Sequence, residues 1–115
     1  MIPKFMAFSD STDPELLKSI LEPLLEDFQY WFERSLTFLK TNDIPFLGLE
    51  RQADLIDRVT QAKQEVAAAQ ALFKATGGQV GVEVAALAPW HHLVSECWQV
   101  ANRFRQENPA RPIEN

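Results

Sequence analysis

The sequence predicts an all-α fold, an antiparallel three-helix bundle with a long first helical hairpin and a shorter third helix. Three observations carry this. Apolar residues recur at three-and-four spacing through two long segments and one shorter one, the pattern of helices buried along one side. Turn-forming residues break that pattern in two places, around Asn42 to Gly48 and at Gly77 and Gly78. The one stretch that alternates like a strand, Val80, Val82 and Val84, has no second strand to pair with. The chain has 115 residues, enough for one core and too few for a core plus a separate catalytic domain. Its 46% hydrophobic content, with three Trp and eight Phe, is that of a globular protein. The expected organisation is a flexible segment over 1–12, one helical domain over 13–106 and a flexible tail over 107–115.

Helix one opens at "DPELL". Asp13 supplies a capping oxygen and Pro14 occupies the first helical position, where a missing N–H costs nothing. Apolar positions 17, 20, 21, 24, 25, 28, 31, 32, 36 and 39 then form one face, opposite Lys18, Glu22, Glu26, Gln29, Glu33 and Lys40. Pro23 removes one hydrogen bond within this pattern, which predicts a kink in a single helix. Tyr30 falls at the edge of the apolar arc, where its hydroxyl is placed to meet water or a partner. The connection "NDIPFLG" carries Ile44, Phe46 and Leu47, unusually apolar for a solvated loop.

Helix two, from Leu49 to the Gly77 and Gly78 pair, has its seam at Leu55, Val59, Ala62, Val66, Ala69 and Phe73, and an outward Asp54–Arg58 pair. The stretch "QVGVEVAAL" reads as an irregular or short helical lead-in. Helix three is expected from Pro89 to about Gln106, with Trp90, Leu93, Val94, Cys97, Ala101 and Phe104 on its buried face and Arg103 and Arg105 in its last turn, where the helix dipole favours cations.

The segment "APWHHLVSECWQV" gathers both histidines, the single cysteine and two of the three tryptophans. At about 100° per residue, Cys97 lies roughly 140° from His92 and 120° from His91, so the three cannot share an ion within this helix. His92 and Glu96 are neighbours one turn apart, but two ligands do not make a zinc site. The bundle di-iron pattern Glu-x-x-His is absent. Cys97 sits mid-helix on the apolar face, away from the groups that activate a thiol. Glu26 and Asp27 point in different directions, and "GGQVG" lacks the Lys and Ser/Thr of a phosphate loop. No catalytic residue, metal ligand or cofactor is assigned.

A net charge of −5, a pI near 4.9 and the absence of any Lys/Arg cluster longer than two residues exclude nucleic acid as the expected partner. A lone cysteine excludes an internal disulfide and suits a reducing cytoplasm. The N-terminal "MIPKFMAFSDSTD" lacks a secretory signal pattern, and no apolar run approaches the roughly 18 residues of a membrane span. Association with a membrane surface stays open.

The blocks "LEPLLEDFQYWFERS", "QAKQEVAAAQALFKATGGQ" and "PWHHLVSECWQVANRF" give the chain its resemblance to a family of small cyanobacterial proteins of unknown function, over about residues 15 to 106. The resemblance implies a cyanobacterial cell and an intracellular place. It carries over no active site, ligand or partner.

The function expected is a non-catalytic helical interaction or adaptor module, binding a protein partner or a second copy of itself. The alternative is a carrier of an apolar small molecule or pigment lined by Trp31, Trp90 and Trp98. Helix lengths place the docking surface. Two helices near 28 residues span about 42 Å, a third near 18 spans about 27 Å, and the third cannot cover both. Leaving from the Gly77 end, it is expected to shield the Leu17 to Phe28 half. That would leave Leu36, Phe38, Leu39, Ile44, Phe46, Leu47 and Leu49 as an exposed apolar patch around the connection.

Overall fold

In a computed structural model, which describes residues 14–77 and 84–108, the chain forms three helices: α1 (Pro14–Thr41), α2 (Gly48–Ala75) and α3 (Val84–Glu107). The expected all-α bundle is the observed architecture, with α1 packed against both other helices. Asp13, Gly78, the valine-rich stretch before Val84, and the tails expected to be flexible beyond Asn108 and before Pro14 lie outside the described residues.

α1 starts at Pro14 and runs as one helix through Pro23. The missing donor at Pro23 leaves a carbonyl that solvent can satisfy, because Pro23 is exposed. Leu21, Leu25, Phe28, Phe32, Leu36 and Leu39 bury the inner stripe. Gln29, expected on the polar face, is half-buried and ties α1 to α2: its amide donates to the Lys63 carbonyl (3.2 Å) and to Gln70 Oε1 (3.3 Å).

The connection is built around Gln52 on the second turn of α2. Its amide nitrogen donates to the carbonyls of Leu39 and Asn42, both at 2.7 Å, and its oxygen accepts from the Ile44 N–H at 3.1 Å. One side chain thereby satisfies three backbone groups that the turn leaves without helical partners. That allows Ile44 to be fully buried and Leu47 nearly so. Gly48 opens α2 at φ +77, a conformation in which a Cβ is strained.

The seam of α2 is as expected, with Leu55, Val59, Ala62, Val66 and Phe73 buried and Ala69 packed beside them. The helix ends where Thr76 N–H returns to the Leu72 carbonyl and Gly77, at φ +63, donates to the Lys74 carbonyl.

α3 departs from expectation. It has 24 residues and begins at Val84, so Pro89 lies inside it rather than at its start. Ala, Leu and Ala at 86–88 are strong helix formers and Leu87 packs against the core, so propensity and packing together carry the helix through Pro89. At 1.5 Å per residue the helix spans about 36 Å. It runs in the same direction as α1: Trp90 meets Phe28 (ring centroids 5.6 Å), Trp98 meets Trp31 (5.3 Å) and Phe104 meets Phe38 (5.4 Å).

This register overturns the expected cover. Trp90 sits level with Phe28, not with the start of α1, so α3 lies over the connection half of the hairpin. Among the described residues, Leu16 (45%), Ile20 (49%) and Leu72 (51%) are the large apolar side chains exposed at the other end.

Candidate functional site

The connection end does not present the apolar patch expected of it. Leu36, Leu39, Ile44 and Leu47 are buried. Phe38 is half-buried with its ring against Phe104, and Phe46 lies beneath the Arg103 guanidinium at 4.1 Å. Leu49 alone of the seven is exposed, at 83%. The physical reason is the forward register of α3, whose Phe104 and Arg103 reach this end.

Partly exposed aromatic surface gathers instead along the α1–α3 groove. On α1, positions 31, 34, 35 and 38 carry Trp, Arg, Ser and Phe; on α3, positions 98, 101, 102 and 105 carry Trp, Ala, Asn and Arg. Each set follows the i, i+3, i+4, i+7 spacing of one helix face. Because the helices run the same way, the two faces stand beside each other and line a cavity of about 530 Å³. Ser35, Cys97 and Ala101 are small, and that is why the space between the aromatic side chains stays open.

The aromatic residues form a chain of edge-on contacts. Tyr30 meets Trp31 at 5.1 Å and 78°, and Trp31 meets Trp98 at 5.3 Å and 85°. The Arg34 guanidinium lies over Tyr30 (5.3 Å) and Trp31 (5.7 Å) and donates to the Tyr30 hydroxyl at 2.8 Å. Tyr30 remains 52% exposed and Trp98 45%. Burying the rest of these rings would remove apolar surface from water, the usual driving force for docking.

The charged side chains of the groove come from both helices. Arg34 and Arg105 line it from opposite helices. Among the described residues its carboxylate is Glu33, held by Lys63 of α2, whose hydrogen bond and charge lower the Glu33 pKa. Cys97 contributes only its buried edge. Burial raises its pKa, and a hydrogen bond from Ser35 opposes this only in part, so the thiol stays protonated.

The three tryptophans proposed to line a ligand cavity are not together. Trp31 and Trp98 share the groove. Trp90 is buried on the α2 side, its Nε1 donating to Glu65 at 3.0 Å. A second hollow of about 550 Å³, between α2 and α3, is lined by Arg58, Glu65, Trp90, His92 and Glu96. Its strongest groups are already engaged: Arg58 donates to both Glu96 oxygens (3.0 and 2.8 Å) and to Asp54 (3.0 Å). Glu96 is therefore the partner of Arg58 rather than of His92, and its pKa is lowered mainly by that hydrogen bond. His91 and His92 are exposed. Among the described residues no three His, Cys, Asp or Glu side chains gather closely enough to hold a metal ion. No helix among them is long and apolar enough to cross a membrane.

Sequence reasoning singled out Trp31, Trp98, Phe38 and Tyr30 but missed Arg34, Ser35, Ala101, Asn102 and Arg105 as their companions. The signal was present as a second stripe on each helix, one step beside the buried one.

Compared with known proteins, residues 11–106 match the family described as "Protein of unknown function (DUF2605)". No curated protein and no solved structure matches.

Proposed function

The chain belongs to this family of proteins of unknown function, and from that premise we propose that it is a non-catalytic interaction module whose docking face is the α1–α3 groove. One observation carries the reading: Trp31, Arg34, Trp98 and Arg105 line it and Tyr30 adjoins it against Trp31, all of the residue types that dominate binding energy at protein interfaces, with two of the rings about half exposed. The groove replaces the connection end as the docking surface. The proposed setting, the cytoplasm of a cyanobacterial cell, is supported by the block resemblance and by the single unpaired cysteine.

A second reading uses the same place. A cavity of about 530 Å³ falls within the range of small-molecule sites, and it holds Trp31 and Trp98, two of the three residues expected to line a carrier's ligand site. A carrier purified from its native cell absorbs light beyond the tryptophan band; an interaction module does not.

The deciding experiment compares wild type with Trp98→Ala in quantitative affinity purification from the native cell. Docking through the groove predicts that a protein recovered with wild type falls by about tenfold or more with Trp98→Ala, the loss expected for an aromatic hot spot. Equal recovery with both removes the groove as the docking face.

A further inference from the structure

We propose that α3 is a movable cover, opening as one unit from an α1–α2 hairpin that stays paired. The two interfaces are built differently. α1 and α2 share a continuous seam, Leu25, Phe32 and Leu39 on one helix and Leu55, Val59 and Val66 on the other, all buried. Polar ties fasten this seam at two levels. Gln52 binds three backbone groups at the connection, and Gln29 reaches the Lys63 carbonyl and Gln70 about 15 Å further along.

α3 packs on α1 and, among the described residues, reaches α2 mainly through side chains. It meets the hairpin along one ridge, Trp90, Val94, Cys97, Val100 and Phe104. A hollow flanks that ridge on each side, about 530 Å³ toward α1 and about 550 Å³ toward α2. A helix held along a single ridge has fewer packing contacts to break than one enclosed on both flanks. Two polar straps tie it to α2, the Arg58–Glu96 pair and the bond from Trp90 Nε1 to Glu65. The first lies at the surface, its side chains 46% and 44% exposed, where water replaces it at little cost. The ridge still buries apolar surface, so the open state is a minor one, reached by sub-global opening. Because α3 carries one wall of the groove, opening takes that face apart and bares Phe28 and Phe32. The inference rests on how α3 is attached and is independent of the docking reading.

Cys97 reports the opening without any added label. It is 5% exposed on the inner ridge of α3, beside Ser35 of α1, and the chain has no other cysteine. The full chain is treated with excess water-soluble aromatic disulfide across a urea series, and global unfolding is followed by circular dichroism. Opening of α3 predicts labelling without urea about tenfold or more faster than the unfolded fraction permits, with a urea dependence shallower than that of global unfolding. Glu96→Gln removes a strap and should speed this labelling about two- to fivefold. Gln52→Ala loosens the connection and should lower global stability while leaving the labelling rate unchanged. A helix detached from its partner is marginal in water, so the Val94 and Val100 amides should exchange hydrogen through the same opening while Val59 and Val66 stay protected to the global limit. Labelling that matches global unfolding in size and urea dependence overturns the proposal. So does protection of Val94 and Val100 equal to that of Val59 and Val66, or acceleration by Gln52→Ala in proportion to its loss of global stability. The wild-type labelling and exchange decide alone if a variant fails to fold.

Discussion

At Cys97 the fold decides between a reactive group and a filler. The thiol is 5% exposed, and burial holds its pKa above the usual thiol value, so little nucleophilic thiolate forms near neutral pH. A water-soluble disulfide reagent should label it slowly in the native protein and rapidly in denaturant; fast native labelling would contradict the helix phase that buries it. Glu96 shows the opposite case, a carboxylate made useful by its partner. Arg58 lowers its pKa below the ordinary 4.5, so the unfolded chain takes up this proton more readily than the folded one. The sign follows: the stability it contributes is fully present above about pH 4.5 and is lost as pH falls through the lowered folded value. Both side chains are well exposed, at 46% and 44%, so the contribution is under about 1 kcal/mol. Urea unfolding near pH 6 and about pH 3 should show a smaller acid-induced drop for Glu96→Gln than for wild type, and an identical drop would remove the pair from the stability account.

The elements differ in how openly the sequence displays them. α1 and the seam of α2 were legible because Leu25, Phe28 and Phe32, and Leu55, Val59 and Val66, repeat at helical spacing without interruption. The start of α3 was not, because Val80, Val82 and Val84 imitate a strand and Pro89 imitates a first helical residue. Local propensity alone does not rank those signals against packing. The connection was half legible. Its apolar residues pointed to burial, but the role of Gln52 depends on a tight turn folding back over it, which no spacing rule reveals. This changes the expected result of a substitution there. Phe46 and Leu47 replaced together by Ser should lower stability by about 3 kcal/mol or more, since Leu47 is core and Phe46 packs against it. Chemical denaturation measures this directly, and a loss under about 1 kcal/mol would return these residues to the surface.

For the whole molecule, the position of α3 along the hairpin decides which surface is free. Shifted toward the connection, it closes that end with Phe104 and Arg103 and leaves the Leu16, Ile20 and Leu72 end bare of its cover. Along its length it stands beside α1 with small residues between the rings, and the groove is the result. The axial register of a third helix is a tertiary property set by which rings interlock, Trp90 with Phe28 and Phe38 with Phe104, so helix lengths alone located the exposed surface wrongly. The stripes on each wall were readable; their juxtaposition was not. Hydroxyl-radical footprinting tests this account most directly, comparing the purified chain with the chain in its native complex. Trp98 is exposed in the groove, Tyr30 beside it against Trp31, and Leu49 at the connection, so all three are oxidisable in the free protein. Docking through the groove predicts that oxidation of Trp98 and Tyr30 falls in the complex while Leu49 is unchanged; protection of Leu49 with Trp98 and Tyr30 still fully oxidised would contradict it.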